Sequence, residues 1–178
     1  ITYEATGEGP AVLFLHAFPL GLFMWDSQAE ALRSAYRVVR FDNRDVGLST
    51  HFSEARPPWP VRQLLFRGTR APYQLSDMAA DGIGLLDHLG IDRAHIVGNS
   101  MGGMIVQTMA IEHPRRIASV TSMMSSPGDP RVGRPTPEAR EALLAPPPPD
   151  RDDYIAASLN SRIWASKKFF DPNWLLEL

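Results

Sequence analysis

The sequence predicts an α/β chain: a mostly parallel sheet with helices on both faces. Three observations predict it. Four short apolar runs, Val12 to Leu15, Arg37 to Phe41, Ala94 to Val97 and Ile117 to Ser122, show little polar alternation. Runs of that kind suit strands buried on both sides. Helical patterns lie between them. The third run passes through a tight glycine turn straight into a helical pattern.

Taken in order, Val12 to Leu15 opens the sheet. Ser27-Gln28-Ala29-Glu30 reads as a capping box, so a helix is expected from about Gln28 to Ser34. Arg37 to Phe41 is the second strand. Ser76 is placed to cap a second helix, with Asp77 and Asp81 near its positive end. Met78, Leu85, Leu86 and Leu89 share one face of it, and Gly90 stops it. Gly82 and Gly84 inside that helix each cost about 1 kcal/mol against alanine, so close packing against the sheet is expected at both. After Ala94 to Val97 a third helix runs from Gly103 to Glu112. It is apolar almost all round, the pattern of a buried helix, and Pro114 ends it.

Two domains are expected: a core over 1–128 and the start of a helical cap or lid over 129–178. Ser125 to Pro130 is a loop, and Thr136-Pro137-Glu138 starts a short helix. "APPPPD" at 145–150 is a stiff spacer. Asp150 then caps a helix striped by Ile155, Leu159 and Ile163, and Asp171-Pro172 starts another. Residues 50–75, with four prolines and Arg56, Arg62, Arg67 and Arg70, read as a solvated surface loop. The chain begins at Ile1 and stops at Leu178 inside a helical pattern. It is therefore expected to be a fragment.

Bulk composition removes several function classes. A net charge of −2 gives no footprint for nucleic acid or a membrane surface. The absence of cysteine removes disulfides, thiolate catalysis and Cys-based zinc sites. No apolar run reaches the roughly 18–20 residues of a membrane span, and no leader pattern is visible, so a cytoplasmic location is expected. No paired-histidine spacing suggests a metal hydrolase. Gly82-Ile83-Gly84 lacks the third glycine of a dinucleotide fingerprint and lies mid-helix. Neither cofactor nor metal is called for.

The chemistry gathers at Gly98-Asn99-Ser100-Met101-Gly102. Gly-x-Ser-x-Gly between strand and helix is a nucleophile elbow, with the serine in a strained turn above the sheet edge. A tetrahedral intermediate needs two preset donors for its oxyanion. The N–H of Met101 is one, and Phe18, in the loop after the first strand, is placed for the other. His16 is expected to tie that loop in place. Phe18, Leu20, Phe23, Met24 and Trp25 form an apolar cluster suited either to a substrate pocket or to core packing.

"FLHAFPL", "RFDNRDVGLST" and the stretch from Asp77 to Met123 around "HIVGNSMGGMIV" together resemble the α/β-hydrolase superfamily. The likeness is to capped serine esterases, of the aclacinomycin methylesterase-like and 3-oxoadipate enol-lactonase-like kind. It covers about residues 3–128 well and the cap loosely. Alanine stands at position 17 where that family usually has glycine. The resemblance implies hydrolysis of a small-molecule ester or lactone through an acyl-enzyme, with Ser100 as nucleophile and Phe18 and Met101 as oxyanion donors. It also implies an acid and then a histidine on later strands. After Ser100 the only histidine is His113, roughly 20 Å away along the third helix at 1.5 Å per residue. Asp129 is a weak candidate acid, since the family acid stands one strand later; "SSPGDP" reads more simply as a turn. Acid and base are thus expected beyond Leu178, and the 178-residue chain alone is expected to be poorly soluble and inactive. His51, His88 and His95 read as structural or solvated. Asp42, Arg44 and Asp45 read as a turn locked by an ion pair to Arg44. The alternatives are another chemistry on the same elbow, such as perhydrolysis or C–C bond hydrolysis, and a non-catalytic or degenerate relative.

Overall fold

The structure is a computed structural model. It describes residues 1–18, 20–52 and 72–129 continuously and scattered positions from 131 to 156. The chain divides into two compact units, one of Ile1–Pro57 and Gly68–Val132, the other of Pro58–Arg67 and Gly133–Leu178. The first unit carries the sheet.

Five strands are present: β1 (Tyr3–Thr6), β2 (Ala11–Leu15), β3 (Arg37–Phe41), β4 (Ala94–Asn99) and β5 (Ile117–Met123). Their order in the sheet is β1-β3-β2-β4-β5. Only β1 is antiparallel to its neighbour; the other pairings are parallel. β1 has no apolar run to announce it. Its antiparallel ladder to β3 holds it, and Glu4, opposite Arg40, accepts that guanidinium at 2.6 Å.

The pleat sorts the strand residues onto two faces. Leu13, Leu15, Val39, Phe41 and Ile96 pack under α2 (Leu75–His88) and α3 (Met101–Glu112). Val12, Phe14 and Val38 face the other way, onto Trp25 and Ala29. Trp25 closes a 3-10 turn, Leu22–Trp25, and Ala29 lies in α1 (Asp26–Leu32). Helices therefore cover both faces, as expected for parallel strands with continuous apolar runs.

Several local expectations need correction. α1 begins at Asp26, one residue before the box expected to cap it, and no side chain caps it. The 3-10 turn runs directly into the helix, and the Asp26 N–H already bonds to the Phe23 carbonyl. Ser76 does not cap α2. Gln74 is the extended residue there, and it exchanges bonds with Asp77, its N–H reaching the Asp77 carboxylate at 2.7 Å. α3 starts at Met101, two residues before Gly103, and is not buried all round: Ile111 is 78% exposed. Gly82 is closely packed as expected, but nothing lies within 4 Å of a Cβ placed on Gly84. β5 is exposed from Ala118 onward, because it is the last strand of the described sheet.

Gly90, at φ +65, does end α2, just past the Leu89 cap. Pro137 and Glu138 are helical, and the Asp150 carboxylate accepts the N–H groups of Asp152 and Asp153, as an N-cap does. The loop at 53–71, the stripe of Ile155, Leu159 and Ile163, and the start at Asp171 lie outside the described residues. Among the described residues no helix is long and apolar enough to cross a membrane, and no cluster of His, Cys, Asp or Glu is arranged to hold a metal.

Candidate active site

β2 and β4 are neighbours, with Leu15 opposite Gly98. Their C-terminal ends therefore release two loops side by side: His16 to Gly21 from β2, and the Ser100 turn from β4. Ser100 is half-buried and holds φ +53, ψ −113. Few non-glycine residues accept a positive φ, and those that do gather at functional sites. Three bonds or contacts enforce it. The Ser100 N–H donates to the Met123 carbonyl at 2.9 Å, and its carbonyl accepts the Met104 N–H at 3.2 Å. A Cβ on Gly98 would fall on the Gly102 carbonyl, so the turn closes only around glycine.

Gly102 brings the two loops together. A Cβ there would meet the Leu15 carbonyl and stand 2.8 Å from the His16 oxygen. Met101 is thus one residue from the contact on one side, and Phe18 two residues from it on the other. Neither the Met101 N–H nor the Phe18 N–H has a partner among the described residues. For Met101 this follows from its place in the first turn of α3, where N–H groups lack intrahelical acceptors.

The β2 loop is held from below. His16 is fully buried. Its Nδ1 donates to the Ala17 carbonyl at 2.9 Å, and its Nε2 accepts the Asn43 N–H at 2.9 Å. Those two bonds together require the neutral ring with the proton on Nδ1. Burial pushes its pKa below 6.5, partly opposed by the Ala17 bond and the Asp42 charge. With both nitrogens engaged, His16 has a structural role, as expected.

Asp42 is the second post, and the sequence did not single out its part. It is buried and accepts the Leu22 N–H at 2.8 Å and the Leu48 N–H at 3.2 Å. Gly47, at φ +55, leaves the room its carboxylate needs. The expected ion pair of Arg44 lies elsewhere than in its own turn. Arg44 forms a fork on Asp81 of α2, at 2.7 and 2.8 Å, and stacks on Tyr73 and Phe52. Gly103 and Gln107 were also missed. A Cβ on Gly103 would lie 2.5 Å from Ser125 Cβ, and the Gln107 amide joins the Gly103 carbonyl to Ser122 at 3.0 Å each. The second of two consecutive glycines in "GNSMGG" was the available signal.

The expected apolar cluster splits. Trp25 is core, and Met24 turns its sulfur to the Ala17 N–H at 3.3 Å. Phe18, at 62%, Leu20 and Phe23 are exposed. No partner of Ser100 Oγ lies among the described residues. His113 caps the far end of α3, and His51, His88 and His95 bond to Gly47, Tyr3 and Ser119 respectively. Asp129 is taken by Arg131, whose guanidinium and N–H hold its carboxyl below the usual range.

Residues 10–163 match the family model described as the alpha/beta hydrolase fold. The chain belongs to this family. This hydrolase-fold chain is 37% identical over 114 residues to fluoroacetate dehalogenase of Burkholderia sp, covering 64% of the chain and 34% of the relative. It is 32% identical over 117 residues to epoxide hydrolase B of Mycobacterium tuberculosis H37Rv, covering 65% and 29%. The chain thus spans about a third of the length of these curated relatives. Among solved structures, the enol-lactonase from Burkholderia xenovorans LB400 matches with a TM-score of 0.64 at 25% identity, over 99% of this chain and 61% of that one.

Proposed function

We propose that the full-length protein is a serine hydrolase of carboxylic esters or lactones, working through an acyl-enzyme. The observation that carries this is Ser100 at φ +53, near the Met101 and Phe18 N–H groups, which have no partner among the described residues, on loops that glycine packs together. Ser100 Oγ attacks the acyl carbonyl, and a histidine supplied from outside the described residues takes its proton. The Phe18 and Met101 N–H groups hold the oxyanion. The alcohol leaves with that proton, and water resolves the ester on Ser100.

The chemistry of a serine decides among the reactions named for the relatives. Opening an epoxide or displacing a halide at Ser100 would join Oγ to a saturated carbon. The product is an ether, which a positioned water does not cleave. An acyl carbonyl gives an ester that water can resolve, so turnover at Ser100 calls for an acyl substrate.

The test is fluorophosphonate labelling of the full-length protein, read by intact mass and peptide mapping, beside turnover of aryl esters. Labelling is expected at Ser100, and Ser100→Ala is expected to lower kcat/KM by about 10⁴-fold or more. Ester turnover undiminished in Ser100→Ala would end the proposal.

A further inference from the structure

Ser100 has a twin across the sheet. β4 and β5 pair to the end, with Asn99 opposite Met123. One residue further stand Ser100 and Met124, at φ +53 and +49. Strands in a sheet lie about 4.8 Å apart, so these two left-handed residues are immediate neighbours, tied by the Ser100 N–H to the Met123 carbonyl. At Met124 no glycine relieves the backbone, although glycine would adopt this φ freely. The side chain is 66% exposed and contributes nothing to the core. A left-handed, exposed, apolar residue thus stands next to the candidate nucleophile.

The surroundings say what it meets. Three segments stand at the sheet end beside Ser100: 16–25 after β2, the elbow with the first turns of α3 over 98–108, and 122–128 at the end of β5. Within those residues the one ionisable side chain is His16, which is buried and fully engaged; the carboxylates at their margins are also taken, Asp42 by the Leu22 N–H, Asp26 by Arg40 and Asp129 by Arg131. Phe18 and Phe23 are exposed on the first loop. Methionine is unbranched and polarizable, and it adapts to flexible apolar partners.

We propose that Met124 is a specificity-determining residue of the Ser100 site and meets an uncharged, aliphatic chain of the substrate. This rests on Ser100 being the nucleophile, as set out above. The test compares aryl esters from acetate to octanoate, and an ester of the same length ending in a carboxylate, on the full-length protein and two variants. Met124→Gly keeps the left-handed backbone and removes only the side chain. Met124→Leu restores apolar bulk.

In the unaltered protein, kcat/KM is expected to rise with chain length and to fall sharply for the carboxylate-ended ester. Met124→Gly is expected to lower the octanoate-to-acetate ratio by about tenfold, without lowering the melting temperature, and Met124→Leu to restore most of it. An unchanged ratio in Met124→Gly overturns the proposal while leaving the Ser100 reading intact, provided fluorophosphonate still labels Ser100. A drop in melting temperature with an unchanged ratio would make Met124 structural and overturns it as well. Failure of Ser100 to label removes both.

Discussion

His16 shows how a single side chain carries the site without taking part in it. Its neutral ring joins the loop after β2 to the turn after β3, through Ala17 and Asn43. Protonation would place a second proton on Nε2, facing the Asn43 N–H, and break that joint. Burial already holds its folded pKa below the unfolded 6.5. The unfolded chain therefore binds the proton more readily. The His16 contribution is fully present above pH 6.5 and is lost as pH falls through that value toward the folded pKa. Down to about pH 5 the loss from this residue is at most about 2 kcal/mol. Urea unfolding across that range, with NMR of the ring, measures it; a His16 ring that charges at or above pH 6.5 in the folded protein contradicts it. At this scale the tight turn around Ser100 was legible in the sequence. Gly98, Ser100 and Gly102 declare themselves by spacing, because a turn this tight admits few alternatives. Asp42 did not, since a buried aspartate that binds amides looks in sequence like any charged turn residue.

At the scale of elements, packing overrides local signals. The box at Ser27 has the right letters, but the 3-10 turn before it satisfies the first turn of α1 and starts the helix early. β1 was invisible because its four residues, Tyr3 to Thr6, carry no hydrophobic pattern. The two glycines of α2 separate the effects of propensity and contact. Gly82 faces the core, where a Cβ would stand 3.1 Å from Met109 Cε and 3.7 Å from Leu13 Cδ2. Gly84 is exposed with open space around it. Gly84→Ala should raise stability by about 0.5–1 kcal/mol, the ordinary helix preference. Gly82→Ala should gain less, because Met109 must give way. Thermal unfolding of both variants decides it, and equal gains would mean Gly82 has no packing role.

For the whole molecule, the parallel core was legible because each parallel strand carries a short apolar run with little alternation, which suits a sheet covered on both faces. The exception is β5. Its run looks like the others, yet its residues beyond Ile117 are exposed at the border of the described sheet. Burial there depends on neighbours that the run itself does not encode. An uncovered strand offers unpaired N–H and C=O groups to other chains. The 178-residue chain is therefore expected to self-associate with rising concentration. Val120, 42% exposed on β5, is the place to interrupt it: Val120→Lys should shift the chain toward monomer in sedimentation velocity. A chain that stays monomeric without the substitution would show that β5 is not adhesive.

The strand order carries a last consequence. From β2 the chain steps outward to β3, then returns across β2 and continues through β4 to β5 on the opposite side. Such a reversal of winding parts the loops at the strand ends and opens a crevice that exists whatever residues line it. The place of Ser100, on the loop after β4 beside that reversal, is thus a property of connectivity. Loop sequence and length around it are free to drift without disturbing the sheet, so a lineage with this winding can exchange one reaction for another while keeping the same place to perform it.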